Sequence, residues 1–115
     1  MKAKIFHNPR CSNSRGALEI LREAGIEPTI VEYLQTLPTA AELQRLLAAM
    51  KMPARALLRE KEADYAALGL DDPKWTEDEL IGFMVAHPIL INRPIVETAK
   101  GVRLCRPPEL VHEIL

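Results

Sequence analysis

The sequence predicts an α/β fold in which a four-stranded mixed sheet is flanked by helices. A strand, helix, strand order opens the chain, and two strands followed by a helix close it, with a helical insertion between these βαβ and ββα halves. Strands linked by a helical crossover are parallel, whereas strands joined by a hairpin are antiparallel, so the sheet is mixed. Because no linker or repeat divides the 115 residues, we expect a single domain, 1–115, with one hydrophobic core.

The βαβ half is predicted from the first third of the chain. A short apolar run from Ala3 to Phe6 predicts the first strand. Apolar positions in Gly16–Ala24 have helical spacing, and Gly25 suits the end of that helix. Residues from Thr29 to Leu34 are rich in β-branched and aromatic side chains and predict the second strand. The segment between Phe6 and Gly16 is therefore a turn from a strand into a helix.

The middle of the chain is predicted to be helical. Thr39 and Glu42 have the spacing of a capping box, ahead of a helix that runs to Met50. Thr76 and Glu79 form a second such pair, ahead of a helix that stops before Pro88. Shorter helical turns are expected around residues 56–58 and 63–68.

The ββα half is predicted from the last third. Ile89–Val96 and Val102–Cys105 have the composition of strands, and Lys100-Gly101 between them predicts a hairpin. A last helix begins at Pro107 and Pro108, since proline is well tolerated in a first helical turn.

Composition excludes several classes of protein. The formal net charge is -1, with 15 basic and 16 acidic residues, so no basic field predicts nucleic-acid binding. No stretch approaches the roughly 20 apolar residues of a membrane span, and no signal peptide is recognisable. The two cysteines have no metal-ligand spacing, so we expect no metal site and a reducing, cytoplasmic location.

Cys11 is the strongest candidate for chemistry, because it lies where the first strand gives way to a helix. Unpaired N–H groups and the helix dipole at such a position favour a thiolate. Ser14 completes a Cys-x-x-Ser pattern, and the polar neighbours argue against the alternative of a buried structural cysteine. His7 could lower the thiol pKa further as an imidazolium or donate to an anion, or it could be an ordinary strand-end histidine.

Three arginines in different segments, Arg59, Arg93 and Arg106, are candidates for anion binding, because guanidinium groups bind tetrahedral oxyanions with two hydrogen bonds. The sequence alone does not show that they converge, and among nine arginines solvated surface charge is the commoner role for any one of them. Arg15 is expected to hold the turn rather than a substrate. Cys105 has apolar neighbours and is predicted to be buried, with a disulfide to Cys11 disfavoured by the reducing compartment.

Four segments carry a resemblance to a known family. They are His-Asn-Pro-x-Cys-Ser-x-Ser-Arg at 7–15, Arg-Ala-Leu-Leu-Arg at 55–59, His-Pro-Ile-Leu-Ile-Asn-Arg-Pro-Ile-Val at 87–96, and Val-Arg-Leu-Cys-Arg-Pro at 102–107. With these motifs the sequence closely resembles the glutaredoxin-dependent arsenate reductases over nearly its whole length. The resemblance implies a thioredoxin-like fold, in agreement with the two halves predicted above, and a cis peptide bond before Pro94.

The resemblance also implies roles for individual residues. Cys11 is the implied nucleophile, and His7 is implied to help ionise it. The implied oxyanion ligands are the side chains of three arginines and the backbone of a loop: Arg59, Arg93 and Arg106, with Ser12, Asn13, Ser14 and Arg15. The implied chemistry is reduction of arsenate to arsenite after attack of the Cys11 thiolate on arsenic.

The electrons would come from external thiols, since Ser14 cannot resolve a disulfide. The implied co-substrate is glutathione and the implied protein partner is glutaredoxin, with no bound cofactor and with a monomer or weak homodimer as the assembly. Other branches of the family keep the fold without arsenate activity. The alternative is therefore a glutathione-linked thiol oxidoreductase, or a regulator that binds a protein partner according to the redox state of Cys11.

Overall fold

A computed structural model describes residues 1–115 and contains four strands, five α-helices and two 3₁₀ helices. In chain order the elements are β1 (Ala3–His7), α1 (Ser12–Glu23), β2 (Thr29–Glu32), α2 (Ala40–Met50), α3 (Ala54–Leu57), α4 (Ala63–Ala67), α5 (Glu77–Ala86), a 3₁₀ helix (Pro88–Leu90), β3 (Ile95–Thr98), β4 (Gly101–Leu104) and a second 3₁₀ helix (Pro108–Ile114). The predicted order of elements, a βαβ half, helices and a final ββ-helix half, is confirmed. No helix combines the length and the apolar character needed to cross a bilayer.

Contacts divide the chain into two compact units, and the expectation of one domain stays a prediction. The first unit comprises Met1–Thr36 and Arg93–Leu115 and contains all four strands, in the order β2-β1-β3-β4. β1 runs parallel to β2 and antiparallel to β3, which pairs antiparallel with β4, so the sheet is mixed as predicted.

A hydrophobic core holds the sheet of the first unit to α1 and to the C-terminal 3₁₀ helix. Its buried members come from both strands and helices: Ala3, Ile5, Ala17, Leu21, Val96, Cys105, Val111 and Ile114. Burying such side chains supplies most of the stability of a small domain, because each large aliphatic side chain contributes about 1.5–3 kcal/mol. This core fixes the start of α1 against the end of β1.

The second unit, Leu37–Asn92, is the helical insertion. Within it α5 packs against α2 and α3. The predicted Thr76 capping box is complete, since Thr76 Oγ1 accepts from the Glu79 amide and the Glu79 carboxylate accepts from the Thr76 amide. Only half of the predicted Thr39 box forms, because the Glu42 carboxylate pairs with Arg45 instead.

Three predicted elements differ in extent or type. α1 begins at Ser12 rather than near Gly16, which makes Cys11 its N-cap residue. The strand predicted over 89–96 is wrong in its first half, because Pro88–Leu90 is a 3₁₀ helix and β3 starts at Ile95. Leu90 and Ile91 are buried, and Ile91 forms an isolated antiparallel bridge with Leu58 instead of belonging to a strand of the sheet. The last helix is a 3₁₀ helix, not an α-helix.

Candidate active site

Cys11 lies at the point where β1 has ended and α1 begins. Its backbone is extended (φ -92°, ψ 124°), and its amide donates to the Asn8 carbonyl at 3.0 Å, which closes a tight turn. The next three amides belong to the first helical turn, where no carbonyl of the helix can reach them. We call residues 8–14 the Cys11 loop.

The Cys11 thiol is partly exposed and its pKa is lowered below the ordinary 9.0. Burial acts in the opposite direction and raises the pKa, but four hydrogen bonds to the sulfur outweigh it. The strongest come from the backbone amides of Ser14 and Asn13, and the others from the side chains of Arg106 and Arg93. Hydrogen bonds and positive charge stabilise the thiolate more than the thiol, so the loop favours the nucleophilic form of the sulfur.

Ser14 fastens the Cys11 loop to the end of β1 through its side chain. Its hydroxyl is fully buried, lies 2.6 Å from Nδ1 of His7, and accepts the Asn8 amide at 3.0 Å. The Asn8 side chain in turn accepts the Arg10 amide at 3.0 Å. This network fixes the direction of the first amides of α1, and Ser14 thus contributes a side chain to the site as well as the backbone that was predicted.

His7 is buried, and burial lowers its pKa below the ordinary 6.5 against the opposing effect of Glu32. The structure therefore favours a neutral imidazole over the imidazolium considered from the sequence. Nδ1 of His7 lies 2.6 Å from the Ser14 hydroxyl, and which of the two donates in that hydrogen bond depends on the tautomer of the imidazole. Ser14 links His7 to the Cys11 loop, and the role of His7 in ionising the thiol stays a prediction.

Two of the three candidate arginines meet at the sulfur of Cys11. The Arg106 guanidinium lies with Nη1 3.6 Å from Sγ, and the same nitrogen donates to the Arg93 carbonyl at 2.8 Å. Arg93 is only 7% exposed, and its side chain is the other charged donor to the sulfur. The peptide bonds Arg93-Pro94 and Arg106-Pro107 are both cis, and only the first was expected.

Arg15 has the structural role expected from the sequence, which is to hold the turn before α1. Its exposed guanidinium donates to the Pro9 carbonyl at 2.9 Å and so braces the Cys11 loop. Its amide donates to the Cys11 carbonyl at 3.0 Å, which is the first hydrogen bond of α1. The amide of Arg15 is therefore already used within the helix, and oxyanion binding by the backbone of Ser12, Asn13, Ser14 and Arg15 stays a prediction.

Arg59 belongs to the second unit, where neighbouring side chains hold its guanidinium. Nε donates to Glu62 at 3.0 Å and Nη1 donates to Asn92 at 3.1 Å, while the backbone amide donates to the Leu90 carbonyl at 2.8 Å. Sequence reasoning identified neither Glu62 nor Asn92 as a partner of Arg59. The assignment of Arg59 to the oxyanion site stays a prediction.

Cys105 is a free, fully buried cysteine in the core of the first unit. Burial raises the pKa of its thiol to about 12, so it is neutral and unreactive at physiological pH. Cys11 is also free, and the structure contains no disulfide. No three His, Cys, Asp or Glu side chains are grouped as metal ligands.

Asn8 is the residue of the site that sequence reasoning missed. It is 4% exposed and supports the Cys11 loop with its carbonyl, its amide and its side chain. An asparagine directly before proline at the end of a strand is a typical turn starter, and its side chain commonly accepts an amide two residues on. That pattern was present in the sequence and could have indicated a structural role for Asn8.

Comparison with known proteins gives consistent matches over almost the whole chain. The model of the ArsC family matches residues 6–114. An arsenate reductase of Escherichia coli (strain K12) is 57% identical over 111 residues, which cover 96% of this chain and 79% of that protein. The protein YfgD of the same strain is 48% identical and covers 99% of this chain and 97% of its own length.

Solved structures agree with the fold. An arsenate reductase from Vibrio cholerae superposes with a TM-score of 0.96 at 44% sequence identity, covering 100% of this chain and 98% of the other. A protein named YFFB has a TM-score of 0.83 at only 18% identity, which shows a shared fold alone. The thioredoxin-like fold expected from the sequence is confirmed, and the chain belongs to the ArsC family.

Proposed function

We propose that this chain reduces arsenate to arsenite, with Cys11 as the nucleophile and with glutathione and glutaredoxin as the electron donors. The observation that carries the proposal is the pair of guanidinium groups, Arg93 and Arg106, beside a sulfur whose pKa is lowered. Positive charge at a thiolate is what an anionic electrophile requires, because two negative groups otherwise repel each other. The 57% identity to a protein named arsenate reductase favours arsenate as that electrophile.

Binding of the oxyanion would use the donors already present around Cys11. Arg93 and Arg106 supply charged hydrogen bonds, and the amides of Ser12, Asn13 and Ser14 supply dipolar ones at the start of α1. Arg59 is proposed as a third charged ligand, on the strength of the matched family motif at 55–59. Glutathione is a co-substrate in this proposal, and no bound cofactor takes part.

The reaction then proceeds in balanced steps. The Cys11 thiolate forms an S–As bond and one oxygen of arsenate leaves as water, with arsenic still in the As(V) state. Glutathione then joins at arsenic through its thiol, and a second oxygen leaves as water. An S–S bond forms between the two sulfurs as both As–S bonds break. Two electrons stay on arsenic, which becomes As(III) and takes up one water to leave as arsenite.

Turnover requires that the mixed disulfide between Cys11 and glutathione be reduced. Cys11 then carries glutathione, and a glutaredoxin thiolate removes it by thiol exchange. Cys105 cannot replace either external thiol, because it is buried and its pKa is about 12. We propose a cytoplasmic location, where both donors are available.

The test is arsenite release by the purified chain supplied with arsenate, glutathione and glutaredoxin. We expect arsenite with the wild type, none with Cys11→Ala, and wild-type activity with the matched Cys105→Ala variant. Omission of glutaredoxin should stop turnover after the first cycle. Arsenite release that survives Cys11→Ala would contradict the proposal, and rapid reduction of model mixed disulfides without arsenite release would establish the thiol oxidoreductase instead.

The arginines are tested in the same assay. Each charged hydrogen bond is worth roughly 1.5–3 kcal/mol, so Arg59→Ala, Arg93→Ala and Arg106→Ala should each lower kcat/KM for arsenate by about 10-fold to 150-fold. Arg45→Ala is the control, because Arg45 is exposed on the surface of α2 and its guanidinium pairs with Glu42 of the same helix. Unchanged kinetics in all three variants would place the oxyanion elsewhere.

A further inference from the structure

Gly16 in α1 lies against the segment that carries Arg106. A Cβ atom added at Gly16 would lie 2.9 Å from Cγ and 3.2 Å from Cβ of Pro108. The first distance is shorter than real Cβ contacts allow, and the proline ring cannot rotate away as a flexible side chain would. The absence of a side chain at Gly16 therefore sets how closely α1 and the C-terminal 3₁₀ helix approach each other.

That approach bears directly on the thiol. Pro108 is two residues beyond Arg106, whose guanidinium is held 3.6 Å from Cys11 Sγ and 2.8 Å from the Arg93 carbonyl. Gly16 is five residues beyond Cys11 in the first turns of α1. The helix that presents the sulfur and the segment that presents the guanidinium thus meet at the contact between Gly16 and Pro108.

We propose that Gly16 is a positioning residue: by admitting the Pro108 ring against α1, it places the Arg106 guanidinium on the Cys11 sulfur and so promotes thiolate formation. The proposal deepens the proposed function, since the thiolate is its nucleophile. It concerns ionisation of the thiol alone, and its test uses neither arsenate nor glutathione. Failure here and failure of the arsenate proposal are therefore separate results.

The alternative explanation is that Gly16 matters only for packing. An added methyl would then lower the stability of the fold while the thiol of the folded protein stayed as it is. Thiol ionisation distinguishes the two explanations, because it depends on the distance from Arg106 to sulfur and not on the free energy of unfolding.

The experiment measures the rate of Cys11 alkylation by iodoacetamide as a function of pH. In Gly16→Ala we expect the rate at pH 6.5 to fall by about threefold to tenfold, with the midpoint of the profile moved upward, because a charged hydrogen bond to the thiolate is weakened. Gly82→Ala is the matched control, since Gly82 is also a helical glycine and an added Cβ there meets nothing within 4 Å. Circular dichroism identifies the folded variants.

Two double variants decide whether the effect passes through Pro108 and Arg106. Gly16→Ala with Pro108→Ala removes Cγ, the nearer of the two contacts, and should move the profile back toward that of the wild type. Gly16→Ala added to Arg106→Ala should slow alkylation no further than Arg106→Ala does alone.

The proposal is overturned by a wild-type profile in folded Gly16→Ala, or by a further slowing in the Arg106→Ala background. Should Gly16→Ala alone not fold, the variant that also carries Pro108→Ala decides the matter. It is compared with Pro108→Ala alone, and slower alkylation at pH 6.5 in the double variant supports the proposal, because the added Cβ still lies 3.2 Å from the Cβ at position 108. Equal profiles overturn the proposal, since packing alone predicts them.

Discussion

Replacement of Ser14 by alanine should destabilise the protein far more than the loss of one surface hydroxyl would. The Ser14 hydroxyl is fully buried, and it is the partner of both the Asn8 amide at 3.0 Å and His7 Nδ1 at 2.6 Å. Asn8 and His7 are themselves 4% and 6% exposed, so water cannot easily replace the missing oxygen. Leaving a buried polar group without its partner costs about 1–3 kcal/mol.

Two such groups together give an expected loss of roughly 2–6 kcal/mol in the free energy of unfolding. With a urea dependence of about 2 kcal/mol per molar, the midpoint of unfolding should fall by about 1–3 M. Far-UV circular dichroism in a urea titration measures the midpoint. Ser12→Ala is the matched control, because Ser12 is exposed on the same loop and its replacement should change stability by less than about 0.5 kcal/mol. Equal midpoints in the two variants would refute the reasoning.

Three further outcomes follow from the titrating groups and the caps. The folded-state pKa of His7 lies below the ordinary 6.5, so the folded chain binds this proton less readily than the unfolded chain. The associated stability is present above about pH 6.5 and is lost as the pH falls through the folded-state value. Urea unfolding measured between pH 5 and 7 should therefore show a smaller decrease in stability toward low pH in His7→Gln than in the wild type, and the wild-type decrease in His112→Gln, whose replaced side chain is exposed. Mass spectrometry after iodoacetamide treatment at pH 7.5 should find one modified residue, Cys11, and a second modification at Cys105 in the folded protein would contradict its burial. Thr76→Ala should lower the free energy of unfolding by about 1 kcal/mol, as judged from thermal or urea unfolding, because it removes a complete capping box.

The elements of the fold were predictable where local chemistry decides them. Thr76 and Glu79 mark the start of α5 because a capping box needs only two residues three positions apart. The hairpin between β3 and β4 was likewise indicated by Lys100-Gly101 alone. The segment 88–92 was misassigned because its apolar residues are buried against Leu57–Arg59, a pairing between residues more than 30 positions apart. An apolar run of residues indicates that the segment is buried, but it does not indicate which other part of the chain the segment packs against.

The candidate site divides in the same way. The lowered pKa of Cys11 was predictable, because a helix start supplies unpaired amides whatever the rest of the chain does. The contact of Arg106 with the sulfur was not predictable from composition or spacing, since it joins residues 95 positions apart, and only the family motif singled it out from nine arginines. The neutral state of His7 depends on burial, which the sequence did not fix.

The donors around Cys11 have to serve two anions in turn if the proposed function is correct. Before the oxyanion arrives, the amides of Asn13 and Ser14 and the two guanidinium groups stabilise the thiolate. Such stabilisation raises the fraction of Cys11 that is ionised, but it lowers the intrinsic nucleophilicity of each thiolate. An arriving oxyanion competes for the same donors and withdraws some of them from sulfur, so the thiolate becomes more reactive at the moment when its target is bound.

Arg106 is the clearest case of a shared donor, because its Nη1 lies beside the sulfur and also donates to the Arg93 carbonyl. In that position the guanidinium is placed to donate to an oxyanion bound next to the sulfur. Arg106→Ala should therefore slow alkylation by a neutral reagent modestly, through the thiolate fraction alone, and slow arsenate reduction much more, through both ionisation and binding. Equal losses in the two reactions would show that Arg106 acts only on the thiol.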